Sequence, residues 1–317
     1  MPGPVGLGTL FVILAGGPAI SLATSLIQPV LPKISAELAH TPDDAFLVKM
    51  LVGVMGIAMV IGASLTGFLA DRFGLKRVMT ANQALYALAG TAGVCLNDLH
   101  FLIASRFLLG IAAAGAVTGS IIIINARMGT AKRATWLGYY NAVAQMSSVV
   151  LNPVSGVLGE FDWHWSFAIY GLAAPFALIA FASLPGRAPA VVAVETTDAP
   201  PLIAWFPFRF ALLAVVLGII TYIPAVYLPF LLSELGMTSP ALISFVLTGD
   251  IIAGSIAALF YGRARRVLSE YAAFVVSVAL VGVGLLIAAL APNYIVVIVG
   301  SVIFGVGVAW FMPNLMI

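Results

Sequence analysis

Long apolar stretches alternate with short polar breaks along the whole chain. About 20 apolar residues are enough to cross the hydrocarbon core of a bilayer as a helix. The apolar runs here are continuous rather than alternating, which favours helices over membrane strands. The pattern therefore predicts an all-α membrane protein with about ten transmembrane helices, at roughly residues 6–30, 46–69, 78–96, 99–124, 135–158, 165–184, 209–231, 240–261, 271–291 and 293–316.

The composition agrees with this fold class and excludes several functions. Hydrophobic residues make up 62% of the 317 residues and charged residues only 8%, against about 25% charged residues in an average soluble domain. One cysteine and three separated histidines predict neither a disulfide nor a metal site. The sequence has no phosphate-binding Gly-x-x-x-x-Gly-Lys-Ser/Thr loop and no basic cluster for nucleic acid. We therefore expect no cofactor and no enzymatic activity.

The basic residues predict the orientation of the spans in the membrane. Cytoplasmic loops of membrane proteins carry an excess of Lys and Arg. Only Lys33 and Lys49 lie in the opposite set of loops, and Arg106 lies inside a span. The N-terminus is therefore predicted to be cytoplasmic. The other 11 of the 14 basic residues fall in every second loop: Arg72, Lys76, Arg77, Arg127, Lys132, Arg133, Arg187, Arg209, Arg263, Arg265 and Arg266.

A proline-rich break separates two sets of spans that resemble each other. The segment that begins at Pro32 and ends in Glu37-Leu38 is matched 197 residues later by the segment from Pro229 to Glu234-Leu235. The segment from Arg106 to Gly110 is likewise matched 195 residues later by the segment from Ser301 to Gly305. These two matches at nearly equal offsets predict two six-helix repeats with the second incomplete. We expect an N-terminal half over 1–184, a cytoplasmic linker over 185–208, and a C-terminal half over 209–317 that lacks its last two helices, in a chain truncated after span 10.

The loop after span 2 carries a family motif. The segment Gly67-Phe-Leu-Ala-Asp71-Arg72-Phe-Gly74-Leu-Lys76-Arg77 resembles the G-x-x-x-D-R-x-G-R-R/K-x signature of the major facilitator superfamily. The resemblance implies a helical bundle of two repeats and a cytoplasmic gate, in which Asp71 pairs with a helix end or an arginine in one state and releases it in the other. The alternative is a static ion pair that also serves as a topology signal.

Further segments resemble the twelve-span drug/proton antiporter branch of that superfamily. They are Pro29-Val-Leu-Pro32 at the end of span 1, Arg106 followed by Gly110, and the tryptophan-rich entry to span 6 at Trp163. In span 5, Asn152-Pro153-Val-Ser-Gly156-Val157 stands where that branch has Gly-Pro-x-x-Gly-Gly. This difference keeps an uptake symporter or a uniporter open as the alternative to an antiporter.

Two charged residues lie within predicted spans. Arg106 is about seven residues into span 4, and Asp250 is ten residues into span 8. Charges are costly in a membrane and are functional by default. We expect Arg106 to sense protonation or an anionic substrate group, and Asp250 to carry a proton. The alternatives are an Arg106 side chain that reaches the surface and an Asp250 that is only structural.

Polar residues recur at helical spacing on two spans and predict the wall of a substrate cavity. On span 5 the spacings are 4, 3 and 4, so the side chains share one face. Hydrogen bonding to a neighbouring helix is the alternative explanation. Two tyrosines on span 7 are expected to add aromatic walls. The predicted lining residues are Ser21, Thr24, Gln28, Asn141, Gln145, Ser148, Asn152, Tyr222 and Tyr227.

These observations together predict a secondary active transporter of the bacterial inner membrane. We expect it to act as a monomer in the lipid bilayer and to export a small organic solute, a drug or a metabolite, in exchange for protons by alternating access. The proton gradient would be its energy source. Two alternatives remain: uptake by symport or uniport, and a truncated protein without transport activity, such as a pseudotransporter or a membrane receptor.

Overall fold

The computed structural model describes residues 6–184, 208–264 and 267–315. These residues are almost entirely helical, and none of them belongs to a β-strand. The chain divides into two compact units, Met1–Glu195 and Thr196–Ile317. The predicted linker over 185–208 lies outside the described residues, except for Phe208 at the start of a helix.

Over its described residues, 6–184, the first unit contains eight α-helices. A 3-10 turn at Gln28–Val30 joins α1 to α2, and another at Ile169–Ala173 joins α7 to α8. Pro29 lies in the first turn of the 3-10 segment, and Pro32 lies in the first turn of α2. At these positions the missing N–H group of proline costs no hydrogen bond. The helices are α1 (Leu7–Ser25), α2 (Leu31–Leu38), α3 (Pro42–Phe73), α4 (Leu75–Thr91), α5 (Leu99–Arg127), α6 (Thr130–Phe161), α7 (His164–Ala168) and α8 (Ala174–Ser183).

Polar residues in the short loops start the helices of the first unit. Thr41 and Asp44 form a capping box at the start of α3, in which each side chain bonds the backbone N–H of the other residue. Asp98 accepts hydrogen bonds from the N–H groups of His100 and Phe101 at the start of α5. These caps place the helix starts at the polar breaks of the sequence.

The first unit has an apolar core and an apolar outer surface. Val12, Ile13, Met79 and Ile124 are buried together where α1, α4 and α5 meet. Many large apolar side chains are nevertheless exposed along the helices, including Leu178 on α8. In water such a surface would be unstable, whereas lipid is the solvent that it matches.

The described part of the second unit contains four α-helices. Its core includes Leu228, Leu232, Ile243, Leu247 and Val297. The last helix packs against the two helices that precede it. The helices are α9 (Phe208–Glu234), α10 (Pro240–Ala264), α11 (Glu270–Ala289) and α12 (Tyr294–Leu315).

The helices coincide with the ten predicted spans, which confirms the predicted fold class. Eight helical segments of the described residues are long and apolar enough to cross a membrane. The other two predicted spans are shorter. The helix α4 has 17 residues and carries Asn82 and Gln83, and α9 contributes the apolar stretch Gly218–Glu234. The first span also continues eight residues beyond its predicted end at residue 30, to Leu38, because α2 follows without a polar loop.

Candidate functional site

Arg106 on α5 is completely buried within the first unit. Its Nη1 donates a hydrogen bond to the Tyr170 hydroxyl at 3.0 Å, and its Nη2 donates to the carbonyl oxygen of Ala23 on α1. Nη2 also lies 3.1 Å from the Sδ atom of Met55 on α3. The guanidinium therefore connects α5 to three other segments of the unit.

The charge of Arg106 is surrounded by neutral groups. The guanidinium carbon lies 5.2 Å from the ring centre of Tyr170 and 5.9 Å from that of Phe167, and aromatic faces attract cations. Within the described residues no carboxylate forms an ion pair with Arg106, and its Nε has no hydrogen-bond partner. A buried charge without a counter-charge is costly, which favours a role beyond stabilising the fold.

The side chain of Arg106 does not reach the surface, in contrast to the alternative of a surface-seeking arginine. Tyr170, its main partner, was not among the sequence candidates. It lies 64 residues later in the chain, and an aromatic residue in a span carries no signal of its own. Only the tertiary packing of the first unit brings the two together.

A line of hydrogen bonds joins α1 to α6. Ser25 Oγ donates to Asn152 Oδ1 at 2.8 Å, and Ser155 Oγ donates to the Leu26 carbonyl at 2.5 Å. Ser21 Oγ lies 3.1 Å from the Ala144 carbonyl, to which it donates. Asn152 is 1% exposed, so this part of the predicted polar face makes helix–helix contacts.

The remaining predicted lining residues divide by exposure. Ser148 is buried, and its Oγ has no hydrogen-bond partner in the described structure. Thr24 and Gln28 bond carbonyl groups of their own helical turn. Asn141 and Gln145 on α6 and Tyr227 on α9 are exposed, whereas Tyr222 is half-buried. The cavity-lining role of these residues stays a prediction.

The motif loop between α3 and α4 is a single-residue turn. Gly74 has φ 86° and ψ 141°, a conformation that side-chain-bearing residues rarely adopt. Asp71, Arg72 and Arg77 are exposed, whereas Gly67 and Lys76 are partly buried. Lys76 Nζ lies 4.8 Å from the ring centre of Phe181. Among the described residues no basic side chain forms an ion pair with Asp71, and the gate stays a prediction.

Asp250 lies at the contact between α10 and α12 in the second unit. Its Oδ1 is buried and has no hydrogen-bond partner among the described residues. A Cβ atom at Gly305 would overlap this oxygen and would lie 2.7 Å from the Asp250 carbonyl. Gly305 therefore allows the carboxyl group to fit against α12. Nearby, Trp310 Nε1 donates to the Ala257 carbonyl at 2.8 Å and joins the same two helices.

Polar side chains also connect the far ends of α2 and α6. Lys33 Nζ donates to the carbonyl oxygens of Gly159 and Glu160, both at 2.8 Å. Glu37 accepts a hydrogen bond of 2.8 Å from the buried Trp163 Nε1. The sequence analysis did not identify Lys33 or Glu37 as contact residues, because each bonds a residue 126 or more positions away in the chain.

Beside this cluster, Asp162 bonds His164. The Asp162 carboxylate accepts a hydrogen bond from the backbone N–H of His164 and lies 2.6 Å from Nδ1 of the His164 ring. The backbone hydrogen bond is the main cause, and the ring contact the second, of a pKa of Asp162 below its ordinary value. The ring stacks on Trp163, with 3.5 Å between ring centres. Its position is thus fixed by packing and hydrogen bonds. Within the described ranges, no group of three His, Cys, Asp or Glu side chains could hold a metal ion.

Comparison with known proteins identifies the family of this chain. Residues 13–317 match the model of the Major Facilitator Superfamily. The chain belongs to this superfamily. Its motif loop between α3 and α4 and its helical fold agree with that assignment, and it is a multi-pass membrane protein.

Curated relatives of this superfamily member include two bacterial proteins. It is 28% identical over 189 residues to the niacin transporter NiaP of Acinetobacter baylyi, which covers 59% of this chain and 40% of that relative. It is 29% identical over 160 residues to the class G tetracycline resistance protein of Vibrio anguillarum, with 50% and 40% coverage. The matched region thus spans about two fifths of these relatives.

Solved structures of the superfamily share the fold. A D-xylose-proton symporter has a TM-score of 0.74 and 16% identity, and the alignment covers 97% of this chain and 81% of that chain. A bacterial homolog of the human lysosomal transporter Spinster has a TM-score of 0.75 and 12% identity, with 97% and 73% coverage. At these identities the likeness establishes the fold alone.

Proposed function

We propose that this protein is a secondary active transporter that exports small organic solutes, drugs or metabolites, in exchange for protons by alternating access. The match to the Major Facilitator Superfamily over residues 13–317 carries the proposal. Relatives named for niacin transport and tetracycline resistance support a small organic solute as the cargo. The protein would act as a monomer without a cofactor or enzymatic activity and would use the proton gradient.

Two buried ionisable groups support proton coupling. Arg106 has no carboxylate partner in the described structure, and the Oδ1 of Asp250 has no hydrogen-bond partner there. Each group belongs to a different unit. No described residue of opposite charge holds either group, so each is available to respond to a proton or to a charged solute. The exposed Asp71 would close the cytoplasmic side in one state.

Uptake by symport or uniport is the second candidate. It is favoured by Asn152, which occupies the position of a motif glycine in span 5 and bonds Ser25. This bond ties α6 to α1 at a place where the antiporter motif has no side chain. A third candidate, a membrane protein without transport activity, remains an outcome of the tests below.

We also propose an inner-membrane location with a cytoplasmic N-terminus, which the single native cysteine can test. Cys95 is exposed and lies near the end of predicted span 3, in the segment between α4 and α5, on the periplasmic side of the proposed topology. In intact spheroplasts, a membrane-impermeant maleimide should label Cys95 at a rate within about twofold of that in solubilised protein. Labelling is measured by the mass of the purified chain.

A matched variant controls this labelling. Lys132 is exposed in the first turn of α6, on the proposed cytoplasmic side. In a Cys95→Ser, Lys132→Cys protein we expect labelling only after lysis. Labelling of Lys132→Cys but not of Cys95 in intact spheroplasts would reverse the proposed orientation.

The direction of proton movement distinguishes the transport mechanisms. The experiment uses everted membrane vesicles, which have the cytoplasmic face outward. Tetracycline or nicotinate is added to the outside of the vesicles in the absence of an imposed pH gradient. Antiport moves the solute in and protons out, so a lumenal pH dye should report alkalinisation. Symport would acidify the lumen, and uniport would leave its pH unchanged.

Passive entry is subtracted with vesicles from cells that lack the protein, because both probes are weak acids or bases. Protein-dependent acidification of the vesicle lumen would contradict export by antiport and would support uptake by symport instead. If a panel of neutral, anionic and cationic organic solutes shows no protein-dependent entry, the transport proposal fails and the non-transporting alternative takes its place.

A further inference from the structure

A cavity of about 410 Å³ lies within the first unit, between α1, α4, α6 and the segment from Ile169 to Phe176. Its walls are mainly aliphatic and aromatic, and they include Leu22, Leu151 and Phe176. None of the described side chains that line it is charged. The lining residues Phe11 and Leu172 are themselves exposed, so the cavity borders an apolar outer surface of the unit.

Two polar groups in this cavity lack partners. Gln83 and Tyr86 lie three positions apart on α4, so both side chains point to the same face of the helix. They are 1% and 3% exposed, and neither Gln83 Nε2 nor the Tyr86 hydroxyl has a hydrogen-bond partner among the described residues. Buried polar groups are normally hydrogen-bonded, so each unpaired one calls for an explanation.

Neighbouring groups of the protein do not satisfy them. The Tyr86 ring packs edge-on against Tyr170, with 5.8 Å between ring centres. The Tyr170 hydroxyl is already engaged, because it accepts from Arg106 and lies 3.2 Å from the Leu22 carbonyl. Gln83 and Tyr86 therefore present two donors to the cavity.

We propose that this cavity binds an uncharged, largely aromatic or aliphatic molecule that carries a carbonyl group or an equivalent hydrogen-bond acceptor. The amide of Gln83 and the hydroxyl of Tyr86 donate to the acceptor, and the apolar walls enclose the rest. The site lies within one unit and does not depend on the proposed transport activity.

The chemistry of the cavity selects this class of ligand over two others. A hydrocarbon lipid tail has no acceptor and would leave both donors unpaired, at the cost of two unmade hydrogen bonds. A cation would enter these walls without a counter-charge and near Arg106, which bonds the lining residue Tyr170. An anion would lose its hydration among mainly apolar walls, while the Arg106 charge beyond Tyr170 belongs to no lining residue. A neutral ligand with one acceptor satisfies the donors and reaches the cavity from the bilayer.

Benzophenone is a suitable probe, because it is neutral, has one carbonyl and attaches covalently to nearby C–H bonds on irradiation. The full-length protein in nanodiscs is irradiated with increasing benzophenone, and the labelled peptides are mapped by mass spectrometry. We expect saturable labelling of residues 15–26, 143–151 and 169–176. Two competitors are then compared by how far each reduces labelling by benzophenone. Diphenylmethane, which has a similar shape but no carbonyl, should compete about tenfold less well than 4-methylbenzophenone, whose own adducts differ from those of benzophenone in mass.

Substitutions decide whether the two donors are responsible. Gln83→Leu combined with Tyr86→Phe should weaken the saturable labelling about tenfold, as expected for the loss of two neutral hydrogen bonds. Thr80→Val is the matched control, because Thr80 Oγ1 is also buried without a partner on α4 but does not line the cavity. We expect it to label like the unmodified protein.

A second variant tests the site independently in case the Gln83→Leu, Tyr86→Phe protein does not fold. Ser147→Phe on α6 places a large ring in the cavity from a partly exposed position, and it should abolish labelling of the three segments while the protein remains folded. Unsaturable labelling spread over all lipid-facing helices, or saturable labelling that neither variant reduces, would overturn the proposal.

Discussion

Replacing Arg106 with leucine is expected to reduce proton-coupled transport by at least about tenfold, while the melting temperature stays the same or rises. The guanidinium is fully buried, and within the described structure no acid pairs with it. A charge at the centre of a membrane span costs roughly 3 kcal/mol on insertion scales. Replacing an uncompensated buried charge with an apolar side chain removes that cost.

The opposite signs of the two effects separate function from structure. If Arg106 serves only the fold, its loss should lower stability, and transport should fall only in proportion to the folded protein. The Tyr170 hydroxyl keeps its 3.2 Å contact with the Leu22 carbonyl without Arg106, which limits the structural damage. Arg106→Lys should give intermediate transport, because an ammonium keeps the charge but lacks the planar fork that reaches Tyr170 and Ala23 together.

Ser105→Ala is the matched control for the Arg106 variants. Ser105 is the preceding residue on α5, is also buried, and bonds the Leu102 carbonyl of its own helix. Thermal unfolding and solute entry into vesicles are measured for all three proteins. Normal transport by a folded Arg106→Leu protein would exclude a coupling role for this residue.

The second large effect is expected for Asp250→Asn. An amide has nearly the same shape as a carboxyl group but cannot bind and release a proton in the relevant pH range. We expect the proton movement that accompanies solute entry to fall at least about tenfold, whereas exchange of labelled for unlabelled solute across the membrane continues. The contact with Gly305 on α12 would be kept, so the packing of α10 should change little.

The measurement for Asp250 compares two rates in the same vesicles, namely the lumenal pH change and the solute exchange. Thr248→Val is the control, because Thr248 is buried two residues earlier on α10 and bonds the Ser244 carbonyl of its own helix. A folded Asp250→Asn protein with an unchanged ratio of protons to solute would refute the proton-carrying role.

The helices could be predicted from sequence because membrane helices depend on local properties. Length and apolarity define a span, and residues such as Thr41 and Gly74 mark its ends through their own chemistry. The prediction was less precise where a break is short and uncharged. The chain passes from α1 into α2 through a three-residue proline turn at Gln28–Val30, so no loop signal marked the true end at Leu38.

The partners of the candidate residues could not be predicted, because they depend on tertiary packing. Periodicity placed Asn152 and Ser148 on one face of α6, but it could not show that Ser25 bonds one of them while the other remains unpaired. Similarly, the sequence identified Arg106 as an intramembrane charge without indicating Tyr170. Gln83 and Tyr86 escaped notice because two separated polar groups on an apolar helix form no recognisable motif.

The hydrogen bonds between α1–α2 and α6 also determine which relative movements of these helices are possible. They run from Ser21 and Ala144 at one end to Lys33 and Glu160 at the other, with the Ser25–Asn152 bond between them. A slide of α6 along its axis by one residue, about 1.5 Å, would break all of these bonds at once. A tilt or rotation that moves both helices as one rigid body breaks none. The pair therefore resists sliding along the helix axis and can transmit a tilt or a rotation from one end of the first unit to the other.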